Sequence, residues 1–138
     1  MQLNRGIVRP PSSTYTQGMT TAHEGAPDLP RALAQHQAYC LALEQCGLAV
    51  SVLSADAEFP DSCFVEDTAV LTARGAIATR PGAPSRAGEV TSIVAALSPY
   101  FSEIARIQAP GTVDGGDVCE AEGHYLIGLS QRTNEEGA

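Results

Sequence analysis

Three carboxylates, those of Asp61, Glu66 and Asp67, lie close together in a segment that also holds aromatic and apolar residues, FPDSCFVEDT. Partly buried carboxylates need a cation or several N–H donors. A planar guanidinium fits this need because its N–H groups meet a carboxylate in a bidentate fork. Neighbouring residues face opposite sides of an ideal strand, so Glu66 and Asp67 can serve one ligand only from a loop or a bulge. The alternative is a solvated acidic loop, which composition alone favours.

Two further segments carry residues that suit a ligand. In TRPGAPSRAGE, a loop rich in Pro and Gly presents Arg86 shortly before a predicted helix. An arginine there suits a carboxylate ligand, whereas a surface pair with Glu89 is the alternative that the residues alone favour. In PGTVDGGD, paired glycines allow the backbone to approach a ligand or to turn tightly, and Arg132 follows downstream. The glycine pair is too short for a phosphate-binding fingerprint.

Composition excludes several classes of function. The formal net charge of −8 argues against nucleic acid as a partner, and the absence of Trp argues against a base-stacking surface. No run is apolar enough for a signal peptide or a membrane span, so we expect no membrane partner and a cytoplasmic location. The cysteines form no C-x-x-C pair and no EF-hand loop is present, so we expect neither a metal nor another cofactor. These cysteines are Cys40, Cys46, Cys63 and Cys119.

The elements that must position these residues alternate between strand and helix, which predicts an α/β fold. The first helix should begin at Asp28 as N-cap, run to Cys46 and stop at Gly47, and the second should include Val90 to Leu97. We expect one face of the first helix to comprise Tyr39, Ala42, Leu43 and Cys46. Strands are predicted at 3–9, 49–53 and 104–107, and hairpins at 65–79 and 113–127, with turns at Arg74-Gly75 and Gly123.

The two hairpins are similar in sequence, since Val65, Val70 and Gly75 match Val113, Val118 and Gly123 in one register. A helix, a strand and a loop precede each hairpin, so the chain contains a repeated unit of about 50 residues. Residues 132–138 contain a capping residue followed by acidic residues, which predicts the start of a further helix. We therefore expect the sequence to be a piece of a longer protein.

With these segments the chain resembles the dimethylargininase family, within the guanidino-group-modifying superfamily of arginine deiminases and amidinotransferases. The resemblance covers nearly the whole chain, and the combination of FPDSxFVED with RPGAxSRxGE is specific. It implies a partial α/β propeller built from pseudo-fivefold ββαβ repeats, with residues 1–138 as the N-terminal portion and about half of the five-unit ring. The matching segments are GIVRPPS, ALAQHQAY, FPDSCFVEDTAV, TRPGAPSRAGE, APGTVDGGDV and IGLSQRTNEEGA.

The resemblance also implies roles for single residues in binding the substrate. Asp67 resembles the acid that holds the substrate guanidinium, with Glu66 beside it and Asp61 nearby. Met19 matches a flap residue that closes over the substrate and is often Leu in relatives. The remaining matches concern the amino-acid end of the substrate and the neighbourhood of the catalytic histidine: Arg86 and Arg132 resemble residues that fix the α-carboxylate, and Asp114 occupies the position of an acid near that histidine.

Catalysis in the family uses a cysteine thiolate that attacks the guanidinium carbon, and a histidine that protonates the departing amine and then activates water. The resemblance places both residues beyond Ala138, so we expect no catalytic residue in this chain. Cys63 lies among acidic neighbours, which would raise the pKa of its thiol. Cys119 and His124 lie on either side of a predicted turn and match no family role.

Three interpretations follow. In the first, the intact protein hydrolyses methylated arginine to citrulline and methylamine or dimethylamine, and the missing C-terminal half of the same domain is the partner of this chain. An arginine deiminase-like or amidinotransferase-like activity is a variant of that interpretation. In the second, the chain is a non-catalytic module that binds guanidino ligands. In the third, which we favour least, it is an acidic metal-binding domain.

Overall fold

The computed structural model describes residues 3–23 and 25–138 and has a mixed α/β architecture. The chain divides into two compact units, residues 1–64 and residues 65–138. None of the helices in these described ranges is long and apolar enough to cross a membrane.

The first unit contains strand β1 (Arg5–Val8), helix α1 (Leu29–Gln45) and strand β2 (Ala49–Val52). The two strands pair in parallel, with the helix as the crossover between them. The predicted helix ends are confirmed. The Asp28 carboxylate caps the helix by accepting the N–H of Arg31 at 2.9 Å, and Gly47 follows the helix with a φ of +89°, which favours glycine.

The face of α1 that was predicted from helical spacing is mostly exposed. Tyr39, Ala42 and Cys46 are exposed, and only Leu43 of that set is partly covered. Leu43 lies towards β1, where a Cβ added at Gly6 would be 3.9 Å from its Cδ1 atom. The partly covered stripe follows helical spacing one position away from the predicted face, and it consists of Leu29, Ala32, His36, Cys40 and Leu43.

The second unit begins with a ββαβ segment. Strands β3 (Ala69–Thr72) and β4 (Gly75–Ala78) form an antiparallel hairpin, and helix α2 (Glu89–Leu97) leads to strand β5 (Ile104–Arg106), which pairs in parallel with β4. The predicted second helix and the strand predicted at 104–107 are confirmed here. The core of the unit lies between β4 and α2, with buried apolar side chains from Ala76, Ala78, Val90, Ile93 and Leu97.

A second antiparallel hairpin follows, made of strands β6 (Val118–Ala121) and β7 (His124–Ile127). The predicted hairpins begin too early, because 3-10 helices occupy Val65–Thr68 and Gly115–Asp117. In the first of these, the Thr68 hydroxyl donates to the Val65 carbonyl at 2.7 Å. Such a local bond competes with a strand ladder, so these residues turn instead of extending.

The repeat is present, but its register differs from the predicted one. Each position of the β3–β4 hairpin lies 49 residues before its counterpart in the β6–β7 hairpin, so Ala69 corresponds to Val118 and Gly75 to His124. Gly75 begins a strand, whereas Gly123 is a turn residue with a φ of +80°. The turn residues Ala73-Arg74 and Glu122-Gly123, rather than the glycines, are equivalent. Backbone pairing defines this register, and the residue matches that suggested another one are not structurally equivalent.

The last residues form a turn where a helix start was predicted. Asn134 is the capping residue, since its side-chain oxygen accepts the N–H of Gly137 at 2.9 Å. Its carbonyl accepts the N–H groups of Gly137 and Ala138 at 3.1 Å each. These bonds are those of a first helical turn, although the structure assigns no helix to residues 132–138.

Candidate functional site

Asp67 occupies the centre of the candidate site in the second unit. It lies on the 3-10 helix that precedes β3, and 14% of its side chain is accessible. Its Oδ2 accepts a hydrogen bond from the Nη1 of Arg86, and its Oδ1 accepts the backbone N–H of Gly116 at 3.0 Å. Both carboxylate oxygens are therefore oriented by fixed donors, and a small part of the side chain remains accessible to solvent.

Arg86 is buried between two carboxylates. Its Nε donates to both oxygens of Glu89, at 3.0 and 3.1 Å, and its Nη2 donates to Glu89 Oε2 at 2.7 Å. Burial opposes the charge of the guanidinium, but hydrogen bonds from Glu89 and then Asp67 outweigh it and raise the pKa of Arg86 above its ordinary value. The pair with Glu89 that the residues favoured is present, but it is not a surface pair, because Arg86 is 2% exposed and Glu89 1%.

The paired glycines allow a close approach between two 3-10 helices. A Cβ at Gly115 would collide with the carbonyl oxygen of Glu66, and one at Gly116 would lie 2.6 Å from Asp67 Oδ1. Glu66 itself is exposed, yet its surroundings desolvate the carboxyl and, with the charge of Asp67, raise its pKa. Because Glu66 and Asp67 lie on a 3-10 helix, the face alternation expected of a strand does not separate them.

Asp114 and Arg132 form a second charged pair. The Nε of Arg132 lies 3.1 Å from Asp114 Oδ2, and 48% of the Arg132 side chain is accessible, compared with 1% for Asp114. The N–H of Gly82 donates to Asp114 Oδ1 at 3.3 Å. Burial raises the pKa of the Asp114 carboxyl, and the charge of Asp67 adds to this, whereas Gly82 and Arg132 oppose it.

A polar cluster next to this pair holds the chain around Arg132 in place. The Thr133 hydroxyl accepts the N–H of Asp114 at 3.1 Å and donates to Asp117 Oδ2 at 2.6 Å. Ser130 donates to the same oxygen at 2.8 Å. The hydrogen bond from Thr133 lowers the pKa of Asp117. Burial raises this pKa, and the hydrogen bond from Ser130 lowers it further. Sequence reasoning did not identify Thr133, although it directly follows a proposed binding residue.

Met19 and Asp61 lie in the first unit, where the structure brings them together. The backbone N–H of Met19 donates to both oxygens of Asp61, at 3.1 and 3.2 Å. Asp61 is buried at 8% exposure, whereas Met19 is 49% exposed. Gly18 is needed beside them, since a Cβ there would lie 2.6 Å from Asp61 Oδ1. Asp61 thus anchors the segment that carries the exposed Met19 side chain.

The other candidate groups do not form a reactive site in the described residues. None of the four cysteines, all of which lie in the described residues, forms a disulfide. Cys119 pairs with Leu126 across the second hairpin, and His124 pairs with Ala121. No group of three or more potential metal ligands is found among residues 3–23 and 25–138. An open, largely apolar cleft of about 1230 Å³ lies between the two hairpins, and its lining includes none of the candidate site residues of this unit.

No family model matches the chain. The chain is 46% identical to the N(G),N(G)-dimethylarginine dimethylaminohydrolase of Pseudomonas aeruginosa, over 96% of this chain and 52% of that protein. It is 35% identical to the protein of the same name from Streptomyces coelicolor, over 99% of this chain and 54% of that protein. The chain therefore spans about half the length of the curated relatives it matches.

Solved structures give the same result. The chain matches a Pseudomonas aeruginosa dimethylarginine dimethylaminohydrolase mutant complexed with citrulline, with a TM-score of 0.97, 44% identity, and coverage of 100% of this chain and 55% of that one. It also matches the N-terminal domain of the cyanobacterial arginine dihydrolase ArgZ, with a TM-score of 0.81 at 17% identity, over 94% of this chain and 50% of that one. The second match shows the fold alone.

The class is therefore the mixed α/β fold that dimethylarginine dimethylaminohydrolase shares with that arginine dihydrolase domain. The sequence identity is 46% to a dimethylarginine dimethylaminohydrolase and 17% to the arginine dihydrolase domain. The chain belongs to the dimethylarginine dimethylaminohydrolase, or dimethylargininase, family.

Proposed function

We propose that the intact protein hydrolyses N-omega-methylated arginine to citrulline and methylamine or dimethylamine. The observation that carries this proposal is Asp67, an oriented and partly accessible carboxylate whose two oxygens are held by Arg86 and Gly116. Such a carboxylate can receive the N–H pair of a substrate guanidinium without rearranging. The names of the curated relatives and the citrulline complex of a similar structure support the same reaction.

We propose that residues 1–138 form the N-terminal portion of a pseudo-fivefold α/β propeller, about half of the ring. The ββαβ segment from β3 to β5 and the second hairpin 49 residues later support this proposal, because they are successive copies of one unit. The missing C-terminal half of the domain would then be the partner of this chain. None of the four cysteines of the described residues forms a disulfide, which suits a reducing compartment, and we propose a cytoplasmic location.

The guanidinium end of the substrate is assigned to Asp67, with Glu66 beside it. Both residues lie on one 3-10 helix, and the raised pKa of Glu66 indicates a carboxyl that would be stabilised in its charged form by an arriving cation. Asp61 acts on Met19, the proposed flap residue, through two hydrogen bonds to its backbone N–H. The backbone of Met19 is thus held by Asp61, and its side chain is 49% exposed.

The resemblance implies Arg86 and Arg132 for the amino-acid end. Because the buried Arg86 donates to Glu89 and Asp67, we assign the α-carboxylate to Arg132 and the orientation of Asp67 to Arg86. Arg132 is the more accessible of the two and meets Asp114 through its Nε. Asp114 holds Arg132 in this assignment, and it is also the residue proposed to support the catalytic histidine. No catalytic residue is assigned within this chain. The thiolate that attacks the guanidinium carbon, and the histidine that protonates the departing amine and activates water, are assigned to the missing half.

The test is citrulline release by the full-length protein that contains this chain, with asymmetric dimethylarginine, monomethylarginine and arginine offered separately. We expect turnover of the methylated substrates, with Asp67→Asn strongly impaired and Glu44→Gln, an exposed carboxylate on α1, unchanged. Turnover of arginine alone would replace this proposal with an arginine deiminase-like one. Binding of methylarginine without turnover would indicate a module that binds guanidino ligands.

A further inference from the structure

We propose that Glu89 is a positioning residue of the guanidinium site: it fixes Arg86 so that Arg86 in turn fixes Asp67. This inference rests on the proposed function and extends it to a residue that does not contact the substrate in the assignment above.

The first support is the geometry of Arg86. A guanidinium is planar and presents its N–H groups as a rigid fork. Glu89 accepts hydrogen bonds from Nε and Nη2, and Asp67 accepts one from Nη1. Once Glu89 holds one edge of the plane, the direction of Nη1 is determined. The position of Asp67 Oδ2 therefore depends on Glu89.

The second support is the rigidity of the platform. Glu89 is the first residue of α2, and the following residues Val90 and Ile93 are buried in the core of the unit. Its carboxylate is thus presented by a packed helix rather than by a loop, which is the arrangement that holds a functional group most firmly. The N-terminus of a helix also favours a negative charge, and the buried Glu89 has the guanidinium of Arg86 as its partner.

The third support is the charge balance of the three residues. Arg86 and Asp67 alone would form a neutral pair with little attraction for a cationic ligand. With Glu89 ionised, the group carries one net negative charge, and the accessible member is Asp67. Glu89 therefore has two effects. It neutralises the charge of Arg86, and it leaves the charge of Asp67 to attract a guanidinium.

The test compares two ligands in the full-length protein by calorimetry: methylarginine, which has an α-carboxylate, and methylguanidine, which has none. Glu89→Gln keeps the size of the side chain and removes its charge. We expect it to lower the affinity for both ligands by a similar factor, tenfold or more. Glu89→Asp should recover part of the loss, because the charge returns at a shorter reach. Glu44→Gln is the control with an exposed helix carboxylate and should bind both ligands as the wild type does.

A second variant covers the case in which Glu89→Gln does not fold. Arg86→Lys keeps the charge but cannot hold two carboxylates through separate edges, so it too should weaken both ligands. The NMR signal of the Arg86 Nε–H should be slow to exchange in the wild type and fast in Glu89→Asp. Loss of methylarginine binding alone, or unchanged binding of both ligands, would overturn the inference. A wild-type protein that binds neither ligand would instead overturn the proposed function.

Discussion

At the scale of single residues, the two arginines of the candidate site differ in what they can contact. Arg86 is enclosed by Glu89 and Asp67 and is 2% exposed. Arg132 is anchored by one contact to the buried Asp114, and nearly half of its side chain is accessible at 48%. Loss of Arg86 should therefore affect the whole site, whereas loss of Arg132 should affect one end of the ligand.

The role of Asp67 can be tested by Asp67→Asn in the full-length protein. The amide keeps the shape of the side chain but loses a charge-assisted contact, and a hydrogen bond to a charged group contributes about 1.5–3 kcal/mol. We expect the affinity for methylarginine to fall at least tenfold, measured by calorimetry. Unchanged affinity would remove Asp67 from the guanidinium site.

Arg132→Ala should affect recognition of the amino-acid end of the ligand and leave recognition of the guanidinium end unchanged. Binding of methylarginine should weaken by roughly tenfold, as expected for a partly exposed charge-assisted pair, and binding of methylguanidine should change far less. Arg106→Ala, which removes an exposed arginine from β5, is the matched control. Equal losses for both ligands would mean that Arg132 stabilises the fold rather than the substrate.

At the scale of elements, the residues of the candidate site in the second unit lie at short turns rather than in the middle of strands. Asp67, Arg86 and the Gly115–Asp117 segment each belong to a 3-10 helix that precedes a longer helix or strand. The strands and α2 supply the buried contacts, and the turns bring polar groups together. Substitutions at the glycines between these turns should therefore disturb the site as well as the stability.

Gly82→Ala is the sharpest test of such a contact. A Cβ at Gly82 would collide with the backbone of Arg132, whereas one at Gly128 would lie 3.7 Å from its nearest neighbour, an ordinary distance. We expect Gly82→Ala to lower the free energy of unfolding by about 1–3 kcal/mol, as overpacking does. Gly128→Ala, the matched control, should stay within about 0.5 kcal/mol of the wild type. Urea denaturation measures both, and equal effects would show that the Gly82 contact is absent in solution.

Asp117 should make the second unit sensitive to acid. Its pKa lies below the ordinary 3.8 because Thr133 and, to a smaller extent, Ser130 donate to its carboxylate. A carboxyl whose pKa is lower in the folded state than in the unfolded state stabilises the protein at pH values above its unfolded-state pKa. This contribution is lost as the pH falls through its folded-state pKa. Asp117→Asn should lower the free energy of unfolding at pH 5, and this loss should become smaller as the pH falls from 5 to 2.

Two hydroxyl variants serve as controls for this acid sensitivity. Thr133→Val should reduce the pH dependence more than Ser130→Ala does, because the Thr133 hydrogen bond is the main cause of the lowered pKa. Unfolding by urea at each pH measures both variants. A pH dependence that is the same in the wild type and in Asp117→Asn would contradict the assignment.

At the scale of the whole molecule, the three sheets contain two, three and two strands in the described part of the chain. The proposed propeller would supply further units around the site. The cleft of about 1230 Å³ between the hairpins of the second unit is largely apolar, and apolar faces and open strand edges of this kind favour self-association.

We predict that the 138-residue chain alone releases no citrulline from dimethylarginine and that it self-associates or is partly unfolded. In the proposed function the thiolate and the proton donor do not come from this chain, and positioning alone does not supply such a nucleophile. Adding that half should restore a compact state and turnover, if the two pieces assemble. Turnover by the purified chain alone, abolished by Cys63→Ser or Cys119→Ser, would make one of those thiols the nucleophile.

The sequence by itself determined the elements whose signals are local. Asp28 and Gly47 define the ends of α1, and the spacing of Val90, Ile93 and Leu97 defines α2 and its buried face, because caps and helical periodicity act within a few residues. The acidic segment and the two arginines could also be identified, since their types and order carry the family resemblance.

Only the tertiary structure decided how those residues meet. The contact of Arg86 with Asp67, the pairing of Arg132 with Asp114 and the 49-residue register of the repeat all depend on contacts between distant parts of the chain. The same holds for the covered face of α1, which is set by where β1 lies rather than by the helix itself. Contacts of this kind follow from backbone pairing and packing, which local sequence patterns do not encode.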